Sequence, residues 1–188
     1  QFRSYNGTYD FRHNPQGGVD QIQNLYKSLK NDPYSSRHNV TILNPSQADE
    51  MALHPCWHSH QFLVIPGKEG EKDTLNLRVD SRSSDILFGG PFNVSQYALY
   101  LLVFSKLLGM QAGELVCFLT DVHIYSNQYK YVQELLTREY SPDKPSVIIH
   151  KELKYLEDLL DLQFEDLQII GHQLNTAPMI TPRPDIAV

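Results

Sequence analysis

Thr74-Leu75-Asn76-Leu77-Arg78-Val79-Asp80-Ser81 alternates apolar and polar residues without a break. In an extended chain Leu75, Leu77 and Val79 fall on one face and Asn76, Arg78 and Asp80 on the other, the pattern of a strand with one buried side. Upstream, the charged run Pro66 to Asp73 predicts a hairpin connection back to a strand at Gln61 to Ile65. Downstream, after the polar loop Arg82 to Asn93, Val94 to Gly109 is the longest helical run and is apolar on most of its faces, which predicts a central buried helix. Glu114 to Thr120 then predicts a buried strand. Together these pieces predict a mixed α+β domain, with one sheet, a long buried helix and several loops gathered at one end.

The flanks fit the same class. Asp20 is placed to cap a helix whose Ile22, Leu25, Tyr26 and Leu29 share one face, and Asn31-Asp32-Pro33 ends it. His38 to Leu43 predicts a strand, and Gln47 to Leu53 a short helix. Ser126 to Glu139 predicts a helix, Ser146 to His150 a strand, Leu156 to Leu162 a short helix and Leu167 to Gly171 a last strand. Gln1 to Gly18 carries turn signals throughout, and the tail from Asn175 to Val188, with three prolines, reads as extended.

Composition narrows the function classes. A chain of 188 residues that is 41% hydrophobic suits one domain with a sizeable core. The net charge of -6 offers no overall basic character for a nucleic-acid partner. Two cysteines do not make a disulfide framework, which points to a reducing, cytoplasmic compartment. The most apolar run, Tyr97 to Met110, is interrupted by Ser105 and Lys106 and is too short to span a membrane. His54, His58 and His60 lack a clear third and fourth ligand, so no metal is expected.

Two stretches carry chemistry. In Leu53 to Phe62, Pro55 biases His54 away from helix and leaves Cys56 at the mouth of a loop entering a strand. A thiol so held is either an inert small apolar residue or a reachable nucleophile. The second stretch, Arg82 to Asn93, offers a cation, hydroxyls, a carboxylate, a glycine pair and an amide. Each has a bland reading as well: Arg82 with Asp85 as a solvated ion pair, Asn93 as a helix cap, His123 as a structural histidine.

At these residues the sequence resembles thymidylate synthase. The matching pieces are Pro55-Cys56 with Gln61-Phe62, Arg82-Ser83 with Asp85, Gly89 with Pro91-Phe92-Asn93, Tyr97-Ala98-Leu99, and Asp121, His123 and Tyr125-Ser126-Asn127. Asp20-Gln21-Ile22, Leu29 to Pro33 and Met51-Ala52-Leu53 match as well. The resemblance runs from Gln1 almost to Val188 and covers the C-terminal two-thirds of a typical member. It implies that residues 1–188 form a single domain lacking the family's N-terminal third.

What the resemblance implies about function is specific. Family members transfer a one-carbon unit from 5,10-methylene-tetrahydrofolate to C5 of deoxyuridylate (dUMP). Cys56 would attack C6 of the uracil as thiolate. Arg82 would supply the nearby cation and bind the phosphate, with Ser83 adding a hydroxyl. Asn93 would read the uracil edge, and His123 and Tyr125 would hold the sugar hydroxyl. Asp85 would contact the pterin ring of the folate, Gly89 would let the backbone approach the ligands, and Val188 would close over the site. Arg37 would reach across a homodimer to the partner's phosphate.

The sequence departs from the family pattern at Trp57 and Gln128, where histidine is usual, and at Ser36, where a second arginine is usual. Three functions are compatible with this pattern. One is thymidylate synthase, which reduces the transferred carbon to a methyl group. Another is a dUMP hydroxymethylase, in which water completes the reaction. The third is a non-catalytic relative used as a binding or assembly module.

Overall fold

The computed structural model describes residues 19–139 and 144–171. The turn-rich start and the tail read above as extended, with Val188, lie outside them. In chain order the elements are α1 (Gln21–Asn31), β1 (Asn39–Thr41), β2 (Trp57–Ile65), β3 (Thr74–Ser81), β4 (Ser84–Asp85), α2 (Gly89–Leu108), β5 (Gln111–Leu119), β6 (Val122–His123), α3 (Tyr129–Leu136), β7 (Ser146–Ile149) and β8 (Leu167–Ile170). Short 3-10 turns occupy Pro45–Glu50, Ser126–Gln128, Leu156–Asp161 and Phe164–Asp166.

Strand alternation builds the central sheet, whose order is β1-β2-β3-β5. Leu75, Leu77 and Val79 of β3 are fully buried, as are Val40 of β1 and Phe62 of β2. A one-residue slip in β3 would turn all three of its apolar side chains to the outer face, so the register is tightly specified. β1 and β2 pair antiparallel, β2 and β3 pair antiparallel across the predicted hairpin, and β3 and β5 pair parallel. A parallel pair needs a crossover, and α2 supplies it. Leu101, Phe104 and Leu107 of α2 are buried in the same core as the inner face of the sheet.

α1 covers another part of this core. Asp20 caps it by accepting from the Gln23 amide at 2.9 Å, and Ile22, Leu25, Tyr26 and Leu29 are all buried. Side chains of this kind contribute about 1.5–3 kcal/mol each on burial. The Asp32 amide donates to the Ser28 carbonyl where the helix stops.

Topology decides where chemistry can be mounted. Trp57 pairs with Ser81 and Ser81 with Leu119. The start of β2, the end of β3 and the end of β5 therefore meet at one end of the sheet. Since α2 returns the chain from that end, its N-terminus opens there too.

Several sequence expectations are corrected. α2 starts at Gly89, not Val94, so Asn93 lies within it and is not its cap. Pro91 is tolerated there because a first-turn residue needs no amide donor, and Asp85 Oδ1 accepts from the Leu87 and Phe88 amides just upstream. β2 begins at Trp57 rather than Gln61, so Cys56 abuts a strand directly. β5 is half-exposed, because it is the edge strand of the sheet and only one face meets the core. Two further two-stranded sheets accompany the main one, a parallel pair of β4 with β6 and an antiparallel pair of β7 with β8. The strand expected from His38 to Leu43 is shorter. The short helices expected at 47–53 and 156–162 are 3-10 turns, and the helix expected from Ser126 opens as one before α3.

Candidate active site

Cys56 sits half-buried at the entrance to β2. Its carbonyl accepts from the Arg82 amide at 2.8 Å, which ties the entrance of β2 to the exit of β3. The register slips between Trp57 and Ser59, a bulge beside the thiol, of the kind that re-aims side chains at strand ends. Trp57 itself is buried and stacks on Tyr97 of α2, with centroids 5.5 Å apart. The Arg82 guanidinium curls back over this turn. Its Nη2 donates to the His54 carbonyl at 2.6 Å and lies 3.9 Å from Cys56 Sγ. Arg82 is exposed, so the remaining donors of its fork face solvent.

Beyond Arg82 the chain turns sharply, with Ser81 Oγ donating to the Ser83 carbonyl at 2.8 Å. The short β4 then pairs with β6, bringing Asp85 level with His123. His123 and Tyr125 meet edge to face at 4.9 Å, and His123 Nδ1 lies 3.5 Å from Asp121 Oδ2. Asp85 is held firmly. Its Oδ1 accepts from the amides of Leu87 at 3.1 Å and Phe88 at 3.4 Å, and its Oδ2 accepts from Gln128 Nε2 at 3.2 Å.

The two glycines that open α2 differ in purpose. A Cβ at Gly90 would lie 3.1 Å from Ser84 Oγ and 3.2 Å from the Asp85 carbonyl, so the helix packs on β4 tightly enough that any larger residue must push its neighbours aside. A Cβ at Gly89 would meet Asp85 Cβ at 3.7 Å and Asn93 Oδ1 at 3.8 Å, ordinary contacts. The protein's own packing therefore does not explain Gly89. It does show that Asp85, Gly89 and Asn93 share one small surface at the head of the helix.

Eight of the expected site residues thus gather at one sheet end: Cys56, Arg82 and Ser83 on the β2–β3 junction, Asp85, Gly89 and Asn93 on β4 and α2, His123 on β6 and Tyr125 just after it. Arg37 does not join them. Asn39 pairs with Gln61, which sets Arg37 level with Leu63, roughly 20 Å along the strand from Cys56. Arg37 is exposed, and Gln61 Nε2 pins the adjacent Ser36 carbonyl at 2.8 Å. Val188 lies outside the described residues. Among those residues no group of three or more His, Cys, Asp or Glu is gathered for a metal, and no helix is long and apolar enough to cross a membrane. His60, read beside His54 and His58, faces the core instead.

A groove of about 440 Å³ is lined by Leu99, Tyr100, Val103 and Phe104 of α2 with Leu156 and Leu159. These α2 residues lie about 15–22 Å along the helix from Gly89. The groove is mainly apolar, with Gln96 its one amide, and lacks the convergent polar groups of a reaction site. Sequence reasoning missed Gly90 and the role of Gln128 as a tether. No local pattern announces that the Gln128 amide turns back to a carboxylate 43 residues earlier.

An α+β domain with this mixed sheet and long inner helix has the thymidylate synthase-like fold. A family model described as Thymidylate synthase matches residues 1–181, and the chain belongs to that family. At family level the reaction is transfer of a one-carbon unit to dUMP with methylene-tetrahydrofolate as co-substrate.

Proposed function

We propose that this protein makes thymidylate, with Cys56 as the nucleophile. The observation that carries the reading is Arg82, whose guanidinium lies 3.9 Å from Cys56 Sγ while its backbone amide holds the Cys56 carbonyl. Cys56 Sγ adds to C6 of dUMP, and the electron pair of the C5–C6 double bond makes C5 nucleophilic. Arg82 provides the counter-charge for the attacking sulfur and, with Ser83, binds the phosphate. Asn93 presents a donor and an acceptor to the uracil edge. His123 and Tyr125 bind the sugar hydroxyl. Asp85 accepts from the pterin, and Gly89 leaves room for the ligands at the helix head. Methylene-tetrahydrofolate, when bound, supplies both the carbon and the hydride. Loss of the C5 proton to solvent with cleavage of the folate C–N bond leaves an exocyclic methylene. Hydride from tetrahydrofolate, oxidised to dihydrofolate, adds to it as Cys56 leaves, which restores the C5–C6 double bond and frees the product. Val188 is assigned to the cover of the site.

The same reading includes a homodimer. Leu63 and Ile65 of β2 and Val116 and Phe118 of β5 are exposed on the outer face of the sheet. These apolar residues flank the polar Asn76, Arg78 and Asp80 of β3 on the same face, a mixed surface suited to a protein partner, and its pairing with a second copy would give Arg37, remote from its own Cys56, a partner's phosphate to bind. Residues 1–188 act as one domain in this scheme.

The test is the intact mass of the protein after incubation with 5-fluoro-deoxyuridylate and methylene-tetrahydrofolate. Fluorine at C5 blocks loss of that substituent and traps the adduct. A mass gain equal to both ligands, absent in Cys56→Ser, is expected, and ordinary dUMP should yield the methyl product. A hydroxymethyl product would replace this reading with the hydroxymethylase. Folded, dimeric protein with no mass gain would refute both.

A further inference from the structure

Gln128 is a buried polar side chain beside this site, at 3% exposure, and it is used at both ends. Its Nε2 donates to Asp85 Oδ2 at 3.2 Å, and its Oε1 accepts from the Tyr125 amide at 3.3 Å. The two partners fix the orientation of the amide. A carboxylate only accepts and a backbone amide only donates, so the nitrogen must face Asp85 and the oxygen Tyr125. One planar group thereby links the head of α2 to the turn after β6.

The accounting at Asp85 shows what this link does. A carboxylate has about four acceptor positions. The Leu87 and Phe88 amides fill those of Oδ1, and Gln128 takes one on Oδ2. One position on Oδ2 is left, and Gln128 sets the plane in which it points. We infer that Gln128 is a positioning residue for the folate subsite, holding Asp85 so that a single acceptor site faces an N–H donor of the pterin, while its other end holds Tyr125 for the nucleotide. This rests on the functional reading above.

Two substitutions separate the ends of the amide. Gln128→Glu keeps the acceptor for Tyr125 but sets a second carboxylate against Asp85. Gln128→Leu removes both bonds. The measurements are calorimetric affinities for dUMP alone and for tetrahydrofolate at saturating dUMP, with both ligands titrated near neutral-to-alkaline and mildly acidic pH. At about pH 8 Gln128→Glu should bind tetrahydrofolate about tenfold more weakly while dUMP affinity stays within about twofold, because two adjacent carboxylates repel. Toward about pH 5.5 the pair takes up a shared proton, a donor returns, and tetrahydrofolate affinity should recover to within about threefold of wild type at that pH. Gln128→Leu should weaken both ligands with no such recovery. Unchanged tetrahydrofolate binding in Gln128→Glu, or an equal, pH-independent loss of both ligands, would overturn the inference and leave the functional reading standing. Wild-type protein that binds neither ligand would overturn that reading and the inference with it.

Discussion

Acidification should destabilise this protein through His60. His60 lies on the inner face of β2 with 1% exposure. Its Nε2 is 3.3 Å from the Tyr100 hydroxyl, and its ring packs edge-on to Phe62, Tyr97 and Tyr100. Burial lowers its pKa from 6.5 to about 4. The native state thus keeps His60 neutral in a range where the unfolded chain protonates it. Between those two values the unfolded state binds more protons, so lowering the pH favours unfolding. The stabilisation is complete above pH 6.5, falls with pH, and has all been lost below about pH 4. The gap corresponds to ~3 kcal/mol in full, of which ~2 kcal/mol is gone by about pH 5. Burial also raises the pKa of both neighbouring tyrosines, Tyr97 to about 12, so neither titrates in this window. The assay is urea unfolding of wild type and His60→Leu at about pH 8 and pH 5. The variant forfeits the Tyr100 contact equally at both, so that cost cancels in the comparison. Wild type should lose ~2 kcal/mol more than the variant on acidification. Equal losses would show that His60 takes up its proton without opening the core, and would refute the argument.

Other outcomes follow from the same contacts. Gly90→Ala should destabilise by about 1–2 kcal/mol, because its Cβ meets β4 backbone, and thermal unfolding would register it. Gly89→Ala should instead match or exceed wild-type stability by up to about 1 kcal/mol while weakening ligand binding. Phe118→Glu on the outer sheet face should convert a dimer to monomers in sedimentation, and dUMP affinity should fall with it; Arg37→Ala should lower that affinity without changing the oligomeric state.

The parts of this molecule legible in the sequence are those set by local periodicity. β3 was readable to the residue because its alternation matches a half-buried strand, and α1 because Asp20 and the spacing from Ile22 to Leu29 agree. The errors arose where a long-range partner overrides a local signal. Gly89-Gly90-Pro91 reads as loop, yet Gly90 packs closely on β4 and Pro91 suits a first turn. The apolar strand at 114–120 reads as buried, yet only one face of the sheet meets the core, which leaves Val116 and Phe118 outside. The site behaved the same way. The motifs named the residues one by one, but their assembly depends on the β4–β6 pairing and on Gln128, neither visible in any local window.

Trp57 shows how the fold accommodates a departure beside the proposed nucleophile. A side chain there must fill the corner between the bulged entrance of β2 and the head of α2. Trp57 does so by stacking on Tyr97 at an interplanar angle of 27°. Tyr97 lies one helical turn beyond Asn93, so the stack links the turn that carries Cys56 to the segment that carries the amide. On its other side the same turn is held by the Arg82 amide. Cys56 is therefore fixed by backbone on one flank and by an aromatic pair on the next residue, while its own side chain stays half-exposed. That combination, a rigid backbone under a reachable thiol, is what precise attack on a bound ring requires.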